Sequence, residues 1–274
     1  MFLEQGFKSE NKFWKYIVGS IIIIFASFLG QIPLLMALLY ETFVIGKPYP
    51  TNNEAVLRFF EPNLTLFLIL ISFVFSMLGV VFVVRYLHHQ TMLSITTSRD
   101  KVDWGRIRFS FSIWALFTIV STLSFYHYNP NDFEINFKPV PFAILAVIGL
   151  LLIPIQTSSE EYIFRGYLMQ GFGNLAKNKW FPLLMTSLIF GAMHISNPEV
   201  SKLGNIIMVY YIGTGLFLGV ITLMDEGMEL ALGFHAANNL VGALLVTSDW
   251  SAFQTHSVFK DISDPSAGLD VIFP

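Results

Sequence analysis

The 274-residue chain has no cysteine. Disulfides and thiol catalysis are excluded, and nothing follows about redox compartment. Charge is also scarce. Asp, Glu, Lys and Arg make up 13% of the residues, against ~25% in a typical soluble domain. Hydrophobic residues make up 54%, so the composition is that of a membrane protein. The net charge is −3, and no basic cluster with interleaved aromatics occurs, so nucleic acid is not an expected partner. Gly-rich phosphate loops and internal repeats are missing. So are Gly-x-Ser-x-Gly, His-Glu-x-x-His and a paired catalytic Asp motif.

What the chain does have is seven runs free of Asp, Glu, Lys and Arg: 16–40, 62–84, 109–131, 139–159, 180–198, 203–224 and 230–248. A hydrocarbon core of ~30 Å takes about 20 helical residues, and backbone polar groups there must be satisfied within the helix. The expected fold is an all-α polytopic transmembrane bundle of about seven spanning helices with a polar intramembrane cavity. The third run is expected to stay helical only to about Tyr126, since Asn129-Pro130 breaks it. The first run is too long for a signal-peptide core and shows no clear cleavage site, so it reads as a helix. The chain divides into 1–138 (three helices and an interfacial loop), 139–248 (a catalytic core) and 249–274 (a polar tail with Pro265 and Gly268, expected outside as a loop).

Cations set the orientation. With the N-terminus in the cytoplasm, the inner segments hold Lys8, Lys12, Lys15, Arg85, Arg99, Lys101, Arg106, Arg108, Arg165, Lys177 and Lys179. The outer ones hold Lys47, Arg58, Lys138, Lys202 and Lys260. Residues 99–108 read as an inner interfacial loop or short helix, with a solvated connector as the plain alternative. The expected location is a bacterial cell membrane, multi-pass, with a cytoplasmic N-terminus.

Polar side chains interrupt three of the apolar runs. Glu160-Glu161 and Arg165 end the fourth, His194 follows Phe190 in the fifth, and His235 and Asn239 lie in the seventh. Ionisable residues at membrane depth are costly and usually functional. At 1.5 Å per residue, Glu160 lies at most ~25 Å from the inner charged turns, His194 ~22 Å and Asn239 ~20 Å. One level within the bilayer can therefore hold them all. Residues four apart share a helix face. That spacing makes Glu161–Arg165 a helix-internal ion pair, puts His235 and Asn239 on one cavity wall, and sets Phe190 beneath His194. Glu160 points about 100° from Glu161, so the two acids need not do the same work. A carboxylate walled off from water becomes a usable general base near neutrality. A neighbouring imidazole can hold the attacking water. An Asn amide and a His N–H suit a developing oxyanion.

In order, these motifs resemble the CPBP family, also called type II CAAX prenyl endopeptidases or Abi proteins: Glu-Glu-x-x-x-Arg, Phe-x-x-x-His, His-x-x-x-Asn. The resemblance covers roughly 160–239 and leaves the first three helices unsupported. It implies an intramembrane peptidase of the glutamate type, a hydrolase without a cofactor, acting on a peptide or membrane-protein substrate. By that resemblance Glu160 and His194 activate a water, His235 and Asn239 stabilise the oxyanion, and Glu161 and Arg165 support the site. A non-catalytic scaffold or regulator, as in bacteriocin immunity, is the alternative, although a scaffold has no need of two His, one Asn and one Glu in lipid. A transporter fits seven helices but lacks paired broken helices. A Glu-His-His zinc site is the remaining rival.

The cation asymmetry yields a topology. Tags at Asn131 and Lys202 are expected to report the outer side in accessibility labelling, and tags at Lys101 and Lys177 the inner side. Finding Lys101 and Lys177 on opposite sides would overturn the helix count between them.

Overall fold

A computed structural model describes residues 1–7 and 11–264. Lys8 of the inner set, and Pro265 and Gly268 of the tail, lie outside the described residues. Each of the seven apolar runs forms a helix: α1 Phe13–Tyr40, α2 Pro62–Phe82, α3 Trp104–Tyr128, α4 Pro139–Glu161, α5 Trp180–Met193, α6 Met208–Asp225 and α7 Glu229–Leu245. The protein is thus an all-α polytopic bundle. Among the described residues five stretches are long and apolar enough to cross a membrane, not the seven expected: Phe13–Ile45, Pro62–Leu87, Trp104–Tyr128, Pro139–Ala176 and Asn205–Asp225. At 14 and 17 residues, α5 and α7 are shorter.

Local chemistry sets the ends. Pro62 and Pro139 each open a helix, where their missing N–H costs nothing. Glu61 accepts from the Leu64 N–H, and Asp103 from those of Gly105 and Arg106, capping α2 and α3. The third helix runs to Tyr128, two residues past the expected stop, before Asn129-Pro130 ends it. Residues 99–103 form a loop, and Trp104 begins α3 directly, so this segment is more than a solvated connector. Arg99 pairs with Asp225 (3.1 Å) and with the fully buried Glu229 (3.2 Å), which also accepts from the Asp103 N–H. The first turn of α7 is thereby fastened to the start of α3.

Small residues let the helices approach. A Cβ at Gly30 would meet the Ser72 backbone, and one at Gly233 would collide with the Ile107 carbonyl. That second approach seats α7 against α3. All of α3 is at least partly exposed, as befits a peripheral helix turned to lipid. Large exposed side chains such as Phe28, Leu78, Phe109 and Leu116 complete this outer apolar surface. One expectation needs correction. Beyond Asp249 the chain is not all loop: Phe259–Asp261 (β3) pairs antiparallel with Phe133–Ile135 (β1) and parallel with Val246–Ser248 (β2). The backbone of these short polar segments finds its partners in one another.

Sequence reading gave His88 no role, yet it is buried at the end of the second stretch. Asn11 uses its amide N–H on the Gly6 carbonyl, so its Oδ1 accepts from His88 Nδ1 (3.0 Å). The Tyr167 hydroxyl then donates to Nε2 (2.9 Å). Burial, with Lys15 and His89 adding to it, pushes the His88 pKa down to about 4. The unfolded chain therefore binds this proton between pH 6.5 and 4 while the folded one does not. Stability is complete above that window and lost as pH falls through it, by up to ~3 kcal/mol. The melting temperature of the purified protein should drop over this range, and less steeply for His88→Gln. Equal slopes would remove His88 from the account.

Candidate active site

The first acidic motif sits where α4 changes winding. After Glu161 the helix continues through a π-helical segment, Tyr162–Leu168, into Met169–Ala176, 38 residues from Pro139. The fourth helix thus continues through the motif. The wider turn is an addition, and such turns concentrate at functional sites.

His235 draws the motif together. It lies in the second turn of α7, 6% exposed. Its Nδ1 is 2.7 Å from Glu161 Oε1, and its Nε2 is 3.4 Å from Glu160 Oε2. A carboxylate only accepts, so Nδ1 carries a proton. Arg165 Nη1 donates to the same Glu161 Oε1 at 2.9 Å, and Nη2 donates to the Gly215 carbonyl of α6 at 3.2 Å. The expected Glu161–Arg165 pair is present and fully buried. The adjacent acids turn different faces of α4 but flank one imidazole. They differ in access: the Glu161 side chain is 0% exposed and that of Glu160 15%.

Phe190 ties in the fifth helix. The Arg165 guanidinium lies 4.5 Å from its ring centroid, the His194 ring 4.7 Å and the His235 ring 6.2 Å. Its place beneath His194 is as expected. His194 caps the C-terminus of α5, and its Nδ1–H donates to the Phe190 carbonyl at 2.7 Å. Its ring stacks on Tyr211 at 4.5 Å. This leaves Nε2 with a lone pair. Among the described residues His194 meets the other motifs through Phe190 and makes no direct hydrogen bond to either acid. Just beyond it, burial raises the pKa of Glu199, which accepts from the Ala252 N–H at 2.7 Å.

Asn239 joins through a residue the motifs did not include. Its Nδ2 donates to Gln156 Oε1 at 3.1 Å. Gln156 lies one helical turn before Glu160, so its amide on the same helix face at i−4 was the available signal. Tyr211 lay in an apolar run with nothing to distinguish it. The described residues hold no group of three or more His, Asp or Glu placed to bind a metal ion.

Residues 139–241 match the family model described as type II CAAX prenyl endopeptidase Rce1-like. The chain is 31% identical over 247 residues to the uncharacterized protein YyaK of Bacillus subtilis (strain 168), covering 90% of this chain and 82% of that protein. The chain belongs to the Rce1-like type II CAAX prenyl endopeptidase family. This is a family of CAAX-type intramembrane proteases, and with five apolar helices the chain is an integral membrane protein. No solved structure matches it.

The shared Glu161 oxygen generates a stability series. Arg165→Gln and Glu161→Gln each strand a buried charge, a change that costs ~3–5 kcal/mol, and should lower the melting temperature or the yield. The double neutral variant should regain part of the loss. Additive losses in the melting temperatures would show that the pair is not coupled.

Proposed function

We propose that the chain is an intramembrane endopeptidase in which Glu160 and His194 activate water and His235 and Asn239 hold the oxyanion. The observation that carries this reading is the unequal access of two acids on one imidazole. Glu161 is sealed between Arg165 and His235, so its work is to orient. Glu160 remains open enough to meet a water. With His235 doubly protonated, the cluster Glu160, Glu161, Arg165 and His235 sums to zero charge, which suits a low-dielectric interior. Its Nε2–H is then a donor.

The steps follow. Water, held against Glu160 and the His194 Nε2 lone pair, gives a proton to Glu160 as its oxygen bonds to the scissile carbonyl carbon. The carbonyl oxygen becomes an oxyanion and accepts from His235 Nε2–H and an Asn239 Nδ2–H. Collapse breaks the C–N bond, and the proton held by Glu160 passes through His194 to the leaving amine. Orientation with the N-terminus inside belongs to the same proposal. The substrate is a peptide or a membrane-protein segment entering the bundle, prenylated or not.

Membrane peptides that accumulate with Glu160→Gln but not with wild type, found by mass spectrometry, identify the substrate. On a peptide spanning that site, Glu160→Gln and His194→Ala should abolish turnover without lowering the melting temperature. His235→Ala and Asn239→Ala should lose ~10²–10³-fold. Chelators should leave wild-type cleavage intact. Wild-type rates from Glu160→Gln, with a folded but inactive Glu161→Gln, would reverse the two acids. A cellular phenotype kept by every variant would replace protease with scaffold.

A further inference from the structure

Asn238, next to the proposed oxyanion donor, lies in a chain of three hydrogen bonds that begins on another helix. Trp114 Nε1 of α3 donates to Asn238 Oδ1 at 3.0 Å. Asn238 Nδ2 donates to Asn239 Oδ1 at 3.1 Å. Asn239 Nδ2 donates to Gln156 Oε1 at 3.1 Å. An amide side chain fits either way round unless a neighbour fixes its sense. An indole N–H can only donate. The Trp114 end therefore settles every member: Asn238 turns its oxygen to Trp114 and its nitrogen to Asn239, and Asn239 turns its nitrogen away towards Gln156.

We infer that Trp114 and Asn238 are positioning residues that set the orientation of the Asn239 amide, so that its NH₂ rather than its carbonyl oxygen faces the reaction centre. This deepens the proposed function and rests on Asn239 being an oxyanion donor. One Nδ2–H is spent on Gln156, and the second is left for the oxyanion. A reversed amide would point a lone pair at the developing negative charge. The indole is held for this work by Phe234 (4.2 Å) and Phe117 (4.8 Å). Phe234 directly precedes His235, so the segment that carries the imidazole also braces the indole.

The test uses purified full-length protein in detergent, with ¹⁵N-labelled tryptophan and the peptide found by trapping. The indole N–H resonance that vanishes in Trp114→Phe is that of Trp114. In Asn238→Ala it should move upfield, because the bond is lost. In turnover, Trp114→Phe should lower kcat ~10-fold with KM unchanged, the signature of an interaction made in the transition state. Asn238→Asp should be worse than Asn238→Ala, approaching the ~10²–10³-fold loss of a missing donor. A carboxylate there accepts from Asn239 Nδ2–H and reverses the amide. In an Asn239→Ala background none of these changes should slow cleavage further, since coupled residues are non-additive. A mere charge effect of Asn238→Asp on Glu160 would persist there. An unmoved indole resonance, or equal losses with and without Asn239, overturns the relay. A resonance that moves in Asn238→Ala, together with wild-type protein that cleaves nothing, overturns the protease reading instead.

Discussion

A single carboxylate oxygen holds this site together. Glu161 Oε1 receives Arg165 from its own helix and His235 from α7, where no water competes. Such a charge is tolerable only when paired and hydrogen-bonded, so helix α4 cannot be placed independently of α7. Arg165 extends the constraint to α6 through the Gly215 carbonyl and to α5 through the Phe190 ring. Four helices are thus registered by one ionic group, and a more open acid, Glu160, is left beside it.

The start of α7 repeats the device. Glu229, at the first turn of α7, is fully buried and receives Arg99 and the Asp103 N–H. The helix that carries His235 and Asn239 is therefore fixed twice along its length. Between the two fixed points Gly233 admits the α3 backbone, which brings Trp114 within reach of Asn238. Lipid gives little apolar driving force between helices, so close backbone approach and polar contacts supply the specificity.

Much of this was legible in the sequence. Charge-free runs located α1 to α7, because a bilayer penalises any ionised group within them, although among the described residues five stretches rather than seven are long and apolar enough to span. The i, i+4 rule found the Glu161–Arg165 pair and the seat of Phe190 under His194, since both are properties of one helix. Contacts between helices were not readable. Nothing in periodicity says that Glu161 also receives His235, that Gln156 answers Asn239, or that His88 is locked between Asn11 and Tyr167. Those depend on rotation and approach of helices far apart in the chain. Missed too was the short sheet of β1, β2 and β3, whose segments of three residues each are too brief for an alternation to show.

The 14-residue length of α5 has a consequence for the surrounding lipid. At 1.5 Å per residue it rises ~21 Å, short of a hydrocarbon layer of ~30 Å. Hydrophobic mismatch of that size is met by local thinning of the bilayer and by polar groups reaching to the interface. The helix stops at His194, and the polar Ser196, Asn197 and Glu199 follow at once. If α5 sits across the bilayer, thinning at its polar end would bring headgroups and solvent towards this end of the bundle. In the proposed hydrolysis, such a dent in the membrane, rather than a channel through the protein, would supply the second substrate, water.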